Sequence, residues 1–348
     1  MERFEHGGDI YSNPHITLDF SVNTNPLGMP DAVRQALISR VSEFSHYPDP
    51  QCRELTAAIA SHENVKPGHV VCGNGAADLI YRLCYAVKPR RALICTPTFS
   101  EYERALEQIG CQITYNNLTA ENGFALSDDI IRLLVPGIDI LFLCNPNNPT
   151  GRLIPSDLIE RILNKAQMNR TMVVVDECFL DFTDGVSAKR YLEEMPGLVI
   201  LKAFTKIYAM AGLRLGYLLN ADAGLLNRIN AATQCWSVSV PAQIAGVAAL
   251  SCDGWAEKTR RLVTDERRCL SENLSDLGII VFPSDANFLL LRSERSLYMP
   301  LLQKGILIRS CENFKGLDRS YYRIGMKTRD KDNLLIQAIG EEVWINEK

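Results

Sequence analysis

Met172-Val173-Val174-Val175-Asp176-Glu177 decides the fold class: four apolar residues in a row, three of them β-branched, end on two acids. A strand with one face in water alternates apolar and polar side chains, and this one is apolar on both faces. Strands of that kind lie between two layers of helices, in a mostly parallel sheet. Leu141-Phe142-Leu143 has the same character, inside a run over 140–144. Further short apolar runs lie at 70–72, 92–95, 111–115, 198–203 and 215–219. Between them apolar residues recur at helical spacing, as in Leu79, Leu83 and Ala86 or Leu158, Ile162 and Ala166. The expectation is an α/β protein whose large domain covers 31–230.

After about residue 230 the rhythm changes. A helical region through the 240s and a long charged helix near 257–274 precede strand-like runs at 278–282, 287–292, 306–309 and 321–325. This reads as a smaller α+β C-terminal domain, 231–348. Residues 1–30, rich in Gly and Pro, read as an irregular N-terminal arm laid over the surface or over a partner subunit.

Composition narrows the function. The chain has 348 residues, enough for two packed lobes, with 47% apolar and 22% charged residues, which is ordinary globular usage. A net charge of −4 with scattered basic residues offers no footprint for nucleic acid, so any basic pocket is local and suits a small anion. The polar N-terminus lacks the pattern of a secretory signal, and no apolar run reaches the roughly 18 residues of a membrane span. The 11 cysteines form no C-x-x-C pair and mostly sit in apolar runs, so no metal site is expected. Reduced thiols point to the cytoplasm.

Four stretches carry chemistry. Cys72-Gly73-Asn74-Gly75-Ala76-Ala77-Asp78 takes a strand end into a helix, where small residues let backbone amides approach an anion. Asn145-Pro146-Asn147-Asn148-Pro149-Thr150-Gly151 is a rigid turn after a strand, at the sheet edge where α/β folds bind ligands. Asp176 ends a buried strand, and a carboxylate there is costly unless something positive meets it. Phe204-Thr205-Lys206 follows an apolar strand, eight residues before Arg214 in a Gly-rich turn. That arrangement suits a lysine forming an imine beside an anchored phosphate. Lys202, inside the same strand, is its competitor.

In this order the four stretches resemble the class I/II aminotransferase-like enzymes that use pyridoxal 5′-phosphate (PLP), fold type I, from about Leu18 to Arg329. The resemblance implies that Lys206 is the Schiff-base lysine and proton carrier, and that Asp176 pairs with the pyridine nitrogen. Asn145 would reach the ring 3′-oxygen, and Phe99 would stack on the ring. Gly75, Ala76, Thr205 and Arg214 would hold the phosphate, joined by Tyr47 from a neighbouring subunit, which implies a homodimer. Arg323 would bind the substrate α-carboxylate, with Arg309 a second candidate; a surface ion pair is the alternative for either.

The start His6-Gly7-Gly8-Asp9 and the turn Asp19-Phe20-Ser21-Val22-Asn23-Thr24-Asn25-Pro26-Leu27-Gly28 resemble the L-threonine-O-3-phosphate decarboxylases of cobalamin biosynthesis. So do Leu201 to Lys206, Trp236-Ser237-Val238 and Ile306 to Cys311. That likeness implies a phosphorylated amino acid as substrate, with His6, Gly7 and Asn25 near its phosphate. Histidinol-phosphate aminotransferases share the scaffold, but commonly carry a tyrosine three residues after the aspartate, where this chain has Phe179. Motif spacing alone leaves decarboxylation, amino transfer and a preference for phosphoserine open. A PLP-binding sensor fused to a helix-turn-helix would need more than the 30 irregular residues that precede the fold.

Overall fold

The computed structural model describes residues 6–345. Leu18–Asp19 (β1) opens the fold, and the next seven strands form one sheet: Val70–Gly73 (β2), Arg91–Thr96 (β3), Gln112–Asn117 (β4), Ile140–Cys144 (β5), Met172–Asp176 (β6), Leu198–Ala203 (β7) and Gly216–Leu219 (β8). Their order is β2-β8-β7-β6-β5-β3-β4, and only β8 runs against the others. The continuous apolar strands are buried throughout, β5 and β7 without exception and β6 from Val173 onward. Helices cover both faces, including Ala76–Val87 and Ser156–Asn169, whose apolar stripes at Leu79 and Leu83 and at Leu158, Ile162 and Ala166 are buried. The mostly parallel α/β architecture is as the apolar runs predict.

Register brings the chemistry-bearing turns together. Cys144 lies opposite Asp176, and Asp176 opposite Leu201, so Asn145, Asp176 and the turn after β7 share one end of the sheet. On the other side Gly216 lies opposite both Gly73 and Ala203. A Cβ on Gly216 would stand 2.6 Å from Ala76 N, so glycine here allows the turn after β2 to approach the lysine turn.

A second, antiparallel sheet has the order β12-β13-β10-β9, from Ile280–Val281 (β9), Phe288–Arg292 (β10), Arg309–Ser310 (β12) and Tyr321–Gly325 (β13). Ile306–Leu307 (β11) pairs instead with β1, in parallel. The run expected as one strand over 306–309 is therefore two: the chain leaves β1 after Leu307 and joins β13 at Arg309. The N-terminal residues are less irregular than their Gly and Pro content suggests, because β1 is completed by a strand nearly 290 residues away. No helix among the described residues is long and apolar enough to cross a membrane.

Candidate active site

Asp176 ends β6 beside the turns that carry Asn145 and Lys206, and the space these turns share with Arg323 of the second sheet is the candidate cleft. Asp176 is buried, and its carboxylate accepts hydrogen bonds from Tyr102 OH at 2.6 Å and from the Cys178 amide at 2.9 Å. Two donors hold a buried anion in one orientation at the end of β6. Burial and the neighbouring Asp176 raise the Tyr102 hydroxyl well above the ordinary tyrosine range, so it stays a donor. Tyr102 also stacks on Phe142 and meets the Phe99 ring edge-on, with centroids 5.6 Å apart. The sequence reading missed Tyr102, because an aromatic residue in a helix is ordinarily core.

Glu177, the next residue, turns to the other face of the sheet. It accepts from Ser187 Oγ and the Ala188 amide at 2.6 and 2.7 Å, and burial raises it to about 7. Only the first acid of the pair belongs to the cleft.

Lys206 lies in the one-turn helix Phe204–Ile207 directly after β7. Its surface is partly open to the cleft, yet its amine is surrounded by protein and stands 5.5 Å from the Phe179 ring centroid. Burial, with Arg323 and Arg214 nearby, lowers it to about 8, against weaker opposing effects of Cys178 and Asp176. No hydrogen bond or ion pair engages Nζ among the described residues. An unpaired, partly neutral amine is what carbonyl chemistry requires.

Lys202 is different. Its Nζ bonds Glu63 Oε1 at 2.9 Å and lies 3.5 Å from Asp181 Oδ1, and Glu63 also takes Lys189 and Tyr217. The competitor lysine is held on the opposite side of β7.

The turn after β2 forms a cradle. Gly75 has φ of +85°, and a Cβ there would lie 2.7 Å from Arg214 Nη2. Arg214 is itself left-handed at φ 55°, its Nη1 donating to Ala211 O at 3.2 Å. Thr205 is buried next to Lys206, and Ala76 begins the helix that follows the turn, its N-terminal amides unused by the helix itself. The acid of that turn, Asp78, is neutralised by Arg82 and accepts from the Asn74 amide. The cradle is therefore built for an anion.

Asn145 is buried, and its Oδ1 accepts from Ile154 N at 2.8 Å, which leaves Nδ2 as its donor. Tyr47 is 79% exposed and stacks on Trp236 with centroids 4.5 Å apart, outside the cleft of its own chain.

Across the cleft, β13 supplies Arg323. It is buried, donates to Asn148 Oδ1 and, at 2.8 Å, to Ser21 O, and its Nε has no partner. No carboxylate pairs with it among the described residues, and burial lowers it to about 10. A buried guanidinium without a counter-ion marks an anion site. Arg309 lies directly opposite Arg323 in the β12–β13 pair, and its Nη2 bonds Asn313 Oδ1 at 2.7 Å. Two like charges facing each other in one sheet repel. A ligand with two anionic groups relieves that.

The arm reaches this place. A Cβ on Gly7 would stand 2.2 Å from Ser21 O, the same carbonyl Arg323 uses, and the Gly8 amide donates to Ser21 Oγ at 2.7 Å. His6 bonds Glu101 Oε1 at 2.9 Å, 6.1 Å from the Phe99 ring. Asn25, expected beside a substrate phosphate, has every side-chain polar group engaged: Nδ2 donates to Ile207 O and Thr259 Oγ1, and Oδ1 accepts from Leu27 N. The neighbouring Asn23 is buried, and its donor Nδ2 makes no hydrogen bond among the described residues. That makes Asn23, which the sequence reading passed over among several asparagines, the better-placed ligand.

The family model for aminotransferase class I and II matches residues 15–339. The chain belongs to that family. It is 39% identical to a threonine-phosphate decarboxylase of Salmonella typhimurium, covering 96% of this chain and 95% of that one. Among solved structures, the L-threonine-O-3-phosphate decarboxylase of Porphyromonas gingivalis superposes with a TM-score of 0.82 at 28% identity, over 95% and 100% of the two chains. The histidinol-phosphate aminotransferase of Clostridium acetobutylicum superposes with 0.87 at 29%, over 94% and 99%.

The residues fit PLP. The Gly75 cradle, which a Cβ would fill, suits a phosphate; the buried Asp176 suits a protonated ring nitrogen; and the unpaired amine of Lys206 suits an aldehyde.

Proposed function

We propose that this chain is a PLP-dependent decarboxylase of L-threonine O-3-phosphate, yielding (R)-1-amino-2-propanol O-2-phosphate for cobalamin biosynthesis. The observation that carries this reading is the likeness to a threonine-phosphate decarboxylase over nearly the whole of both chains. The phenyl ring of Phe179 beside Lys206 supports it against histidinol-phosphate amino transfer, because it has no hydroxyl to offer a cofactor oxygen.

Gly75, Ala76, Thr205 and Arg214 would hold the cofactor phosphate, with Asn145 at the 3′-oxygen, Phe99 on the ring face and Asp176 at the ring nitrogen. Bound there, PLP supplies a sink for the electron pair left when a bond to the substrate Cα breaks. Asp176, fixed by Tyr102 and the Cys178 amide, keeps a proton on the ring nitrogen. Arg323 binds the α-carboxylate through a planar fork that a lysine lacks. Arg309, Asn23 and Gly7 would face the second anionic group, joined by His6 if it leaves its partner Glu101. Lys206, neutral in a good fraction near pH 8, takes up and delivers the proton that replaces the departing carbon dioxide at Cα.

The exposed Tyr47, with Val41 and Phe44 also exposed on the preceding turn, supports a homodimer in which Tyr47 would reach the partner's cofactor phosphate. The deciding experiment incubates the PLP-loaded protein with L-threonine O-3-phosphate, and separately with histidinol phosphate and 2-oxoglutarate. Carbon dioxide release without glutamate formation is expected. Glutamate formation with histidinol phosphate, and no carbon dioxide, refutes the reading. Phosphoserine should turn over more slowly by about 10–200-fold, the discrimination one methyl group provides.

A further inference from the structure

The segment Asp19-Phe20-Ser21-Val22-Asn23-Thr24-Asn25 runs from β13 to the turn that carries Lys206, and each end is fastened to a residue the chemistry needs. At its start it lies along β13. The Gly325 amide donates to Phe20 O at 2.7 Å, Arg323 Nη2 to Ser21 O at 2.8 Å and Asn287 Nδ2 to Asn23 O at 3.1 Å. A Cβ on Gly325 would stand 2.3 Å from Val22 O, so the contact is as close as backbone allows.

At its end, the Asn25 amide donates to Lys206 O at 3.0 Å, and Asn25 Nδ2 donates to Ile207 O at 2.7 Å. Ile207 O takes a second bond from Trp255 Nε1 at 2.9 Å. Asn25 Nδ2 also donates to Thr259 Oγ1, which itself donates to Trp255 O. The helix around Lys206, Phe204–Ile207, is a single turn. A turn that short leaves its last carbonyls without helical partners. Here Lys206 O takes the Ala209 amide at 3.1 Å and the Asn25 amide of the crossing segment besides, while Ile207 O is held wholly from outside, by Asn25 Nδ2 and by Trp255 of the helix Trp255–Asp276.

We infer that Asn25 is a positioning residue for Lys206. With Trp255, it fixes the backbone that carries the amine relative to Arg323, so that Nζ meets the substrate Cα while the guanidinium holds the carboxylate. The inference rests on the proposed function and adds to it the element that ties the two residues together. It also explains why Asn25 is buried with a full set of hydrogen bonds rather than open to a ligand.

The test uses two variants of the PLP-loaded full chain. Asn25→Asp keeps the shape and the acceptor for Leu27 N but removes both donors. Trp255→Phe removes one donor and keeps most of the ring. In Asn25→Asp, kcat for phosphothreonine is expected to fall by about 10²-fold, the cost of a misplacement near 1 Å. A smaller fall is expected in Trp255→Phe, with KM within about twofold in both, since ground-state binding is untouched. The pH at which the Lys206-linked absorbance band changes should shift in both variants. A residue that only supports the fold lowers thermal stability and leaves that titration in place.

Wild-type kcat and titration in both variants at full cofactor occupancy overturn the inference. If Asn25→Asp does not fold, Trp255→Phe decides alone, and wild-type behaviour there overturns it equally. An inactive wild-type chain that still shows the Lys206-linked band refutes the proposed function instead.

Discussion

Lys202 and Lys206 are four residues apart, belong to one strand and its following turn, and stand in opposite electrostatic situations. Burial works against the charged form of both. At Lys202, Asp181, Glu63 and Glu177 reverse that effect and raise the amine above its ordinary value of 10.5. At Lys206, Arg323 and Arg214 add to the burial, and the amine falls to about 8. Glu63 shows the same contest from the other side: burial pushes it up, yet Lys202 and Lys189 bring it down to about 2. One lysine is therefore a permanent cation that joins elements, and the other is a base. The difference comes from the partners, since the two share residue type and both amines are enclosed by protein.

The largest effect expected from this contrast is in Lys206→Ala. Turnover should fall below detection, and borohydride should no longer fix the cofactor to the chain, as seen by mass spectrometry of the peptide. Lys202 lacks a neutral amine and cannot take over. A reduced adduct on Lys202 in that variant, or in the wild type, breaks the comparison.

Lys202→Met should do the reverse. The adduct at Lys206 persists, while stability falls by about 3 kcal/mol in urea unfolding, the low end for removing one partner of a buried ion pair, because Lys189 still faces Glu63. The pH dependence sharpens this. Glu63 has a depressed value, so its contribution is complete above its unfolded value of 4.5 and is lost as pH falls through about 2. Destabilisation by Lys202→Met should therefore shrink in acid.

Much of this was legible in the sequence, and the reason is local. Val173-Val174-Val175 has to be buried on both faces whatever surrounds it, so the sheet could be read from single runs. The order of the cradle, Asn145, Asp176 and Lys206 along the chain reflects the strand ends they occupy. What was hidden depends on distant partners. Tyr102 reads as core until β6 places Asp176 against its hydroxyl. Asn23 and Asn25, two residues apart, look interchangeable in sequence, yet one keeps an unengaged donor and the other holds the Lys206 backbone. The β1–β11 pair joins residues from the two ends of the chain, and no local pattern encodes it.

The smallest expected effect is on the rate at which cofactor-free protein captures PLP, followed by absorbance in stopped flow. Only the neutral amine attacks an aldehyde. With Lys206 near 8, the neutral fraction rises about tenfold per pH unit below 8 and flattens above it. An ordinary lysine would keep rising to about 10.5, and Lys202, shifted upward, would show no plateau in the accessible range. The groups that set the midpoint are Arg323, Cys178, Arg214 and Asp176. Arg323→Gln removes the largest of them, so its profile should move to higher pH while keeping its shape. A profile that stays in place would mean that desolvation, with Arg214, depresses Lys206 without help from Arg323. The contrast between the two lysines would then rest chiefly on burial at one site and charge at the other.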